Sequence, residues 1–306
     1  MIAFLFPGQG SQHAGMGKDL ADNFSVAKEA FEEANDALGE DLASLCFNGP
    51  EEDLKLTANT QPAILTTSIA ALRVLETETD IKPACAAGHS LGEYSALVCA
   101  GALGFADAVR TVRQRGRFMQ EAVPVGTGAM AAILGLDFDT LNQICADAAE
   151  GQVVSPANFN SAGQVVIAGH TEAVERAITL AKENGAKRAM PLPVSAPFHC
   201  SLMVPAGERL AEVLAGVNVG EMSIPVITNV EASPNQESSR VCDLLVEQVS
   251  APVRWEETVA AMVGMGVERY IEIGPGKVLA GLVKRMAKGS TIQNLQNVSD
   301  ISALAV

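Results

Sequence analysis

Residues 82–100 read Lys-Pro-Ala-Cys-Ala-Ala-Gly-His-Ser-Leu-Gly-Glu-Tyr-Ser-Ala-Leu-Val-Cys-Ala. The short run Lys82–Gly88 predicts a strand, and Ser90–Ala100 predicts the helix that follows it. Between them, Gly88-His89-Ser90-Leu91-Gly92 has the form G-x-S-x-G. In a strand-to-helix turn that form exposes the serine hydroxyl. The flanking glycines leave room where a side chain would clash. The serine also sits at a helix N-terminus, whose free N–H groups favour developing negative charge. An ordinary glycine-rich turn with a serine cap has the same letters. The strand–turn–helix context favours Ser90 as a nucleophile.

Outward from this turn the chain alternates. Ile2–Phe6 reads as a strand, Thr60–Glu76 as a helix with Pro62 in its first turn, and Ala106–Val123 as a further helix. Such alternation predicts a parallel sheet with helices on both faces. After Pro124 the rhythm changes. Gly128–Leu134, Val153–Asn158, Val165–Ala168 and Ala186–Leu192 read as strands. Asp139–Ala149 and Thr171–Asn184 read as helices, the latter with Thr171 as N-cap and Gly185 beyond its end. The order is βαββαβ, as in ferredoxin-like units. Residues 125–193, between Pro124 and Pro193, therefore read as an inserted subdomain. The α/β pattern then resumes with helices at Met203–Ala215, Arg240–Val249, Trp255–Gly264 and Lys277–Lys288, and strands at Ile224–Thr228 and Glu268–Ile273. The expected architecture is α/β. Its large domain comprises residues 1–124 and 194–306, and the smaller unit, residues 125–193, is inserted into it.

Composition narrows the function. Of 306 residues, 48% are hydrophobic and 19% charged, enough to bury a core. Lys and Arg total 21 against 36 Asp and Glu, a formal charge of −15, which argues against a partner bound through nucleic-acid phosphates. Aromatics make up only 4%, so a base-stacking platform is not expected. No apolar run reaches the ~20 residues of a spanning helix, so no membrane insertion is expected. The six cysteines are scattered without Cys-x-x-Cys or zinc spacing, and read as free cytoplasmic thiols with no metal site.

A serine nucleophile needs a base, and the chain has four histidines. His89 adjoins the serine and points elsewhere in such a turn. His13 lies in a glycine-rich loop and His170 at a helix start. His199 lies in Ser195-Ala196-Pro197-Phe198-His199-Cys200, where the chain re-enters the large domain. A proline-stiffened segment can hold it over the sheet edge; a satisfied loop histidine is the alternative. An α/β-hydrolase places its histidine late in the chain, and this chain has none near its C-terminus.

Arg115 is a second clue. At roughly 100° per residue, Arg110, Arg113 and Arg117 share a face with Asp107 and Glu121. Arg115 falls among Ala108, Val112, Met119 and Ala122. A guanidinium there requires a partner. That partner is either a buried carboxylate of the chain or a substrate carboxylate held by two parallel hydrogen bonds. The loop Pro7-Gly8-Gln9-Gly10-Ser11-Gln12 follows the first strand. Its backbone N–H groups could supply one oxyanion donor, with Leu91 N–H as the other.

The set resembles malonyl-CoA:acyl carrier protein transacylases and the acyltransferase domains of fatty acid and polyketide synthases. The stretches are FPGQGSQ (Phe6–Gln12), TQPA (Thr60–Ala63), GHSLGEYSAL (Gly88–Leu97), RGRFMQ (Arg115–Gln120), NFNSAGQVVIAG (Asn158–Gly169), FHC (Phe198–Cys200) and IEIGPG (Ile271–Gly276). They occur in family order across nearly the whole chain. The resemblance implies an α/β-hydrolase-like large domain with a ferredoxin-like insertion. It implies Ser90 as nucleophile, His199 as base, and Gln248 as the residue whose carbonyl orients the histidine. It implies backbone N–H groups of Gln9 and Leu91 as oxyanion donors, Arg115 as the clamp on the malonyl carboxylate, and Asn160 in a loop facing the cleft. Phe198 stands where many members of fatty acid synthesis carry serine, and also resembles malonyl-selective polyketide acyltransferases.

The implied reaction is ping-pong malonyl transfer from malonyl-CoA to the phosphopantetheine thiol of acyl carrier protein, with CoA as product and no cofactor. A serine hydrolase or thioesterase shares the turn and base but needs no buried arginine. A non-enzymatic acyl-CoA-binding protein would keep the site idle. Acyl carrier proteins are acidic and this chain is too, so a local basic patch is required. One candidate is Lys182, Lys187 and Arg188; another is Lys284, Arg285 and Lys288. Either could instead be a solvated face.

Overall fold

The computed structural model describes residues 1–124, 126–194 and 196–304. Val125, the expected first residue of the insertion, lies outside the described residues. So do Ser195 of the crossing segment and the final Ala305 and Val306.

Two sheets organise the chain. The strands in order are β1 (Ile2–Phe6), β2 (Cys85–Gly88), β3 (Gly128–Leu134), β4 (Val154–Ser161), β5 (Gln164–His170), β6 (Arg188–Pro191), β7 (Val226–Ile227), β8 (Pro234–Asn235), β9 (Arg269–Ile273) and β10 (Thr291–Leu295). The large sheet has the order β10-β9-β1-β2-β7-β8 and is parallel except for the β7–β8 pair. Its central strands are buried on both faces, which is why Ala3–Phe6 and Cys85–Gly88 read as unbroken apolar runs. The small sheet has the order β4-β5-β3-β6 and is wholly antiparallel. With the helices Phe138–Ala149 and Thr171–Glu183 it completes a βαββαβ unit.

Three local readings are corrected. The long helix runs Thr57–Glu78, so Pro62 lies beyond its first turn. The helix starts early because Leu56 O accepts the N–H groups of both Asn59 (2.7 Å) and Thr60 (2.8 Å). His170, not Thr171, is the N-cap residue of the helix Thr171–Glu183; the Thr171 hydroxyl donates instead to Gly126 O at 2.9 Å. Asn160 lies in strand β4 rather than in a loop.

The first segment carries four helices that the sequence reading left unassigned: Lys18–Asn23, Ser25–Leu38, Leu42–Asn48 and Glu51–Leu54. Ser25–Leu38 buries Ala27, Ala30, Phe31 and Ala34, one helical stripe, and packs against Thr57–Glu78.

The two lobes meet beside the strand ends. Phe159 N–H donates to Val253 O (2.8 Å) and Val253 N–H to Ala157 O (2.9 Å). Gly128 abuts the Pro197 ring, where an added Cβ would stand 2.3 Å from Pro197 Cδ. This contact sets the returning segment that carries His199.

Candidate active site

The turn after β2 is a strained elbow. Ser90 has φ +51°, a left-handed conformation rare for a side-chain-bearing residue. Its flanking glycines are required by contact. A Cβ on Gly88 would lie 1.9 Å from Gly92 C, and one on Gly92 would lie 2.0 Å from Phe6 O. The end of β1 thus presses directly on the elbow. Ser90 itself precedes the helix Gly92–Cys99, as the motif requires.

Ser90 Oγ lies 2.7 Å from His199 Nε2. His199 Nδ1–H donates to Gln248 O (2.9 Å) and Ala251 O (3.2 Å). Two backbone carbonyls therefore occupy the place a triad carboxylate takes elsewhere. They hold the proton on Nδ1 and leave Nε2 free to accept the serine proton. Burial, and then the Arg115 charge, lower the imidazole to about 3, so His199 rests neutral. Its φ of +59° shows that the segment is bent to present it.

Arg115 is 1% exposed. Its Nη2 donates to Ser90 Oγ (3.1 Å) and Gln248 Oε1 (2.9 Å), and its Nη1 to Gln61 Oε1 (2.8 Å). Its Nε has no acceptor among the described residues. The guanidinium stands 5.6 Å from the Tyr94 ring centroid. All its acceptors are neutral, and no ion pair forms with it among the described residues. Of the two partners the sequence left open, a direct carboxylate of the chain is not the one found.

Ser90, His199 and Arg115 line one cavity of about 110 Å³ together with Gln9, Leu91 and Phe198. A neighbouring cavity of about 310 Å³ shares Gln9, His89, Asn158 and Leu192 with it, and adds Asn160, Gln164, Val278 and Leu282. His89 pairs away from Ser90, with strand β4. Its Nε2 pairs with Asn160 Oδ1 at 2.8 Å and its ring lies 5.6 Å from that of Trp255. His13 and His170 serve their own loops, at Ser11 O (3.4 Å) and Val153 N (2.9 Å).

Sequence reasoning missed Asn229 and Glu93. Asn229 Oδ1 accepts Ser90 N–H (2.6 Å) and its Nδ2 donates to Gly88 O (2.7 Å), so one side chain spans the elbow. Glu93 lies within the motif stretch, but nothing in its spacing distinguishes it from a solvent-facing helix residue.

The acyl transferase domain family matches residues 3–304. The chain belongs to that family. This acyltransferase is 54% identical over 302 residues to the malonyl CoA-acyl carrier protein transacylase of Escherichia coli strain K12, covering 99% of this chain and 98% of that one. It superposes on an acyl carrier protein S-malonyltransferase from Vibrio cholerae with a TM-score of 0.97 at 52% identity, covering 99% of both chains. It also matches a malonyl-transacylase solved in complex with a holo type II polyketide acyl carrier protein, at a TM-score of 0.96 and 50% identity, covering 99% of this chain and 98% of that one. Among the described residues of the acyltransferase, no helix is long and apolar enough to cross a membrane.

Proposed function

We propose that this acyltransferase moves the malonyl group of malonyl-CoA to the phosphopantetheine thiol of an acyl carrier protein, through a malonyl ester on Ser90. The observation that carries the reading is a buried guanidinium, unpaired by any carboxylate of the described residues, 3.1 Å from a hydroxyl that is itself 2.7 Å from a neutral imidazole.

Malonyl-CoA enters with its free carboxylate on Arg115. The thioester end of the substrate is then fixed relative to Ser90, so its carbonyl is held for attack. His199 Nε2 takes the Ser90 proton as Oγ bonds to the carbonyl carbon. Backbone N–H groups of Gln9 and Leu91 hold the oxyanion, each such donor being worth ~10²–10³ in rate. The C–S bond breaks, and the His199 proton passes to the CoA sulfur. The carrier thiol then gives its proton to His199 and attacks the ester carbonyl. His199 returns that proton to Ser90 as the ester bond breaks. Every proton and acyl movement is assigned to these groups, so the scheme calls for no metal or redox cofactor.

A hydrolase would use the same elbow and base, but would not require a guanidinium left unpaired beside the nucleophile. For the carrier, Lys284 and Arg285 are better placed than Lys187 and Arg188. Arg285 Nη1 donates at 3.1 Å to Gln164, which lines the larger cavity. Arg188 opens β6 and Lys187 precedes it; the strand leads on to Leu192, about 13 Å from Arg188 at ~3.3 Å per residue. Phe198, 7% exposed, lines the catalytic cavity and supports a malonyl-selective enzyme serving a polyketide carrier as a second reading. A cytoplasmic setting is supported by six unpaired cysteines, whose thiols burial pushes up, to about 12 at Cys46, Cys99 and Cys145.

Intact-protein and peptide mass spectrometry after malonyl-CoA tests the reading. A malonyl adduct on the Ser90 peptide is expected, cleared by addition of holo-carrier. An active preparation with no adduct removes the nucleophile assignment.

A further inference from the structure

Beneath the elbow lies a group the reaction above does not use. Glu93 is 2% exposed and sits in the first turn of the helix Gly92–Cys99. Its Oε2 accepts two hydrogen bonds, from Gln248 Nε2 (2.8 Å) and from the Asn229 backbone N–H (3.0 Å).

Those two partners hold the whole site. Asn229 binds Ser90 N–H and Gly88 O, which fixes both sides of the elbow. Gln248 Nε2 also donates to Ser90 O at 3.0 Å. The Gln248 side-chain oxygen accepts from Arg115, and its backbone carbonyl accepts from His199. The nucleophile, the base and the clamp are therefore all one residue away from the same carboxylate oxygen.

The amide of Gln248 can bond either way round. Turned over, it would present its oxygen to Glu93 and its NH₂ to Arg115, placing acceptor against acceptor and donor against donor. An acceptor-only carboxylate excludes that orientation. When ionised, Glu93 also acts on the guanidinium through space, with no ion pair between the two. It partly offsets the Arg115 charge in the resting site, while Arg115 Nε keeps no acceptor among the described residues.

We infer that Glu93 is a positioning residue that sets Ser90, His199 and Arg115 in register by fixing Gln248 and Asn229. The inference rests on the acyl-transfer reading above, and deepens it.

Single-turnover acylation of Ser90 by malonyl-CoA and by acetyl-CoA tests it, with near-UV circular dichroism to establish folding. Glu93→Ala should acylate about a hundredfold more slowly with both donors, as expected when reacting groups shift by about an ångström. Its malonyl-CoA KM should rise as well, because the clamp loosens through Gln248. Glu93→Gln keeps an oxygen where Oε2 stands. It should recover the acetyl rate to within about fivefold of wild type, the difference expected between charged and neutral acceptors. A purely structural glutamate would not produce this split between variants of equal fold.

A folded Glu93→Ala with wild-type rates overturns the inference, as does a folded Glu93→Gln no faster than Glu93→Ala. Should Glu93→Ala not fold, Glu93→Asp decides. Being one methylene too short to reach both partners, it should be slow with both donors, and a folded, fully active Asp variant overturns the inference. Wild type is the control for the parent reading. Absence of a malonyl-Ser90 adduct in wild type sinks that reading, whereas adduct formation at equal rates in wild type and variants sinks only the role of Glu93.

Discussion

Glu93 and Glu272 are the glutamates buried among the described residues, at 2% and 0% exposure. Burial pushes both up to about 7 against the donors that surround them. Glu272 lies in β9. It accepts the N–H groups of Leu279 (3.1 Å) and Ala280 (2.7 Å) and the Asn294 amide (3.1 Å). Those N–H groups belong to the first turn of the helix Val278–Met286, where the backbone has no acceptors of its own. Glu272 thus joins a strand to a helix and ends there. Glu93 accepts the same number of protein donors less one, but its donors continue to Ser90, His199 and Arg115. Burial and hydrogen bonding make a carboxylate important; the onward connections of its partners decide whether it acts on stability or on rate.

Arg115 should give the largest effect on the Glu93 side. Arg115→Ala should lower kcat/KM for malonyl-CoA by about 10²–10³, the scale of a lost charge-assisted, buried carboxylate contact. The acetyl-CoA rate should change far less, because an acetyl group carries no free carboxylate. Steady-state kinetics with both donors decides it, and an equal loss of both would make Arg115 a structural residue.

Glu272→Ala should behave in the opposite way. Three donors lose their acceptor, and the helix Val278–Met286 loses its cap. A cost of about 2–4 kcal/mol is expected, seen as a Tm lower by several degrees in calorimetry. The kcat of the folded protein should stay at the wild-type value. A folded Glu272→Ala with reduced kcat would erase the contrast between the two glutamates.

This contrast also marks what the sequence could disclose. Ser90, His199 and Arg115, which line one cavity, stand out in the sequence because each breaks a local rule: a serine between two glycines, a histidine on a proline-stiffened crossing, an arginine on an apolar helix face. The βαββαβ element order is readable from periodicity. Gln248 came only from family resemblance. Its backbone carbonyl carries the histidine contact, and a carbonyl has no letter. Asn229 and Glu93 were not legible, because their partners lie 139 and 155 positions away in the chain. The helix Ser25–Leu38 was missed for a different reason. Its stripe is mostly alanine, so its apolar face carries little contrast.

The pH dependence of stability sharpens the same pair. Unfolded glutamate titrates near 4.5 and the folded groups near 7. Between those values the folded state binds more protons, so each glutamate's contribution to stability is lost as pH rises from about 4.5 to 7, by up to about 3 kcal/mol. His199 has the opposite sign. Its folded value lies near 3 against 6.5 unfolded, so its contribution grows as pH rises across that window. Glu272→Gln should therefore gain stability relative to wild type between pH 5 and pH 8 in urea titrations. A constant difference would show that Glu272 is ionised throughout. The kcat/KM profile should show no acid limb from His199 near 6.5.

The smallest effect concerns the carrier, and it contrasts surface charge with buried charge. The protein bears −15 overall, so an acidic carrier is repelled at long range. Screening limits that repulsion to about 8 Å at physiological ionic strength. A basic group next to the larger cavity, such as Arg285 on its lining residue Gln164, therefore acts where the net charge no longer does. Exposed charge pairs contribute ~0.2–1 kcal/mol each, and reversing a charge converts attraction into repulsion. The double variant Lys284→Glu/Arg285→Glu should raise the carrier KM about tenfold, and Lys187→Glu/Arg188→Glu about threefold or less. Loading of Ser90 at saturating malonyl-CoA should be unchanged in both. Raising the salt concentration should shrink the difference between the variants and wild type, because the lost attraction is screened in wild type too. A larger KM effect at Lys187 and Arg188 would move the carrier from the helix Val278–Met286 to the edge of the small sheet, and no effect at either pair would remove both patches from the docking surface.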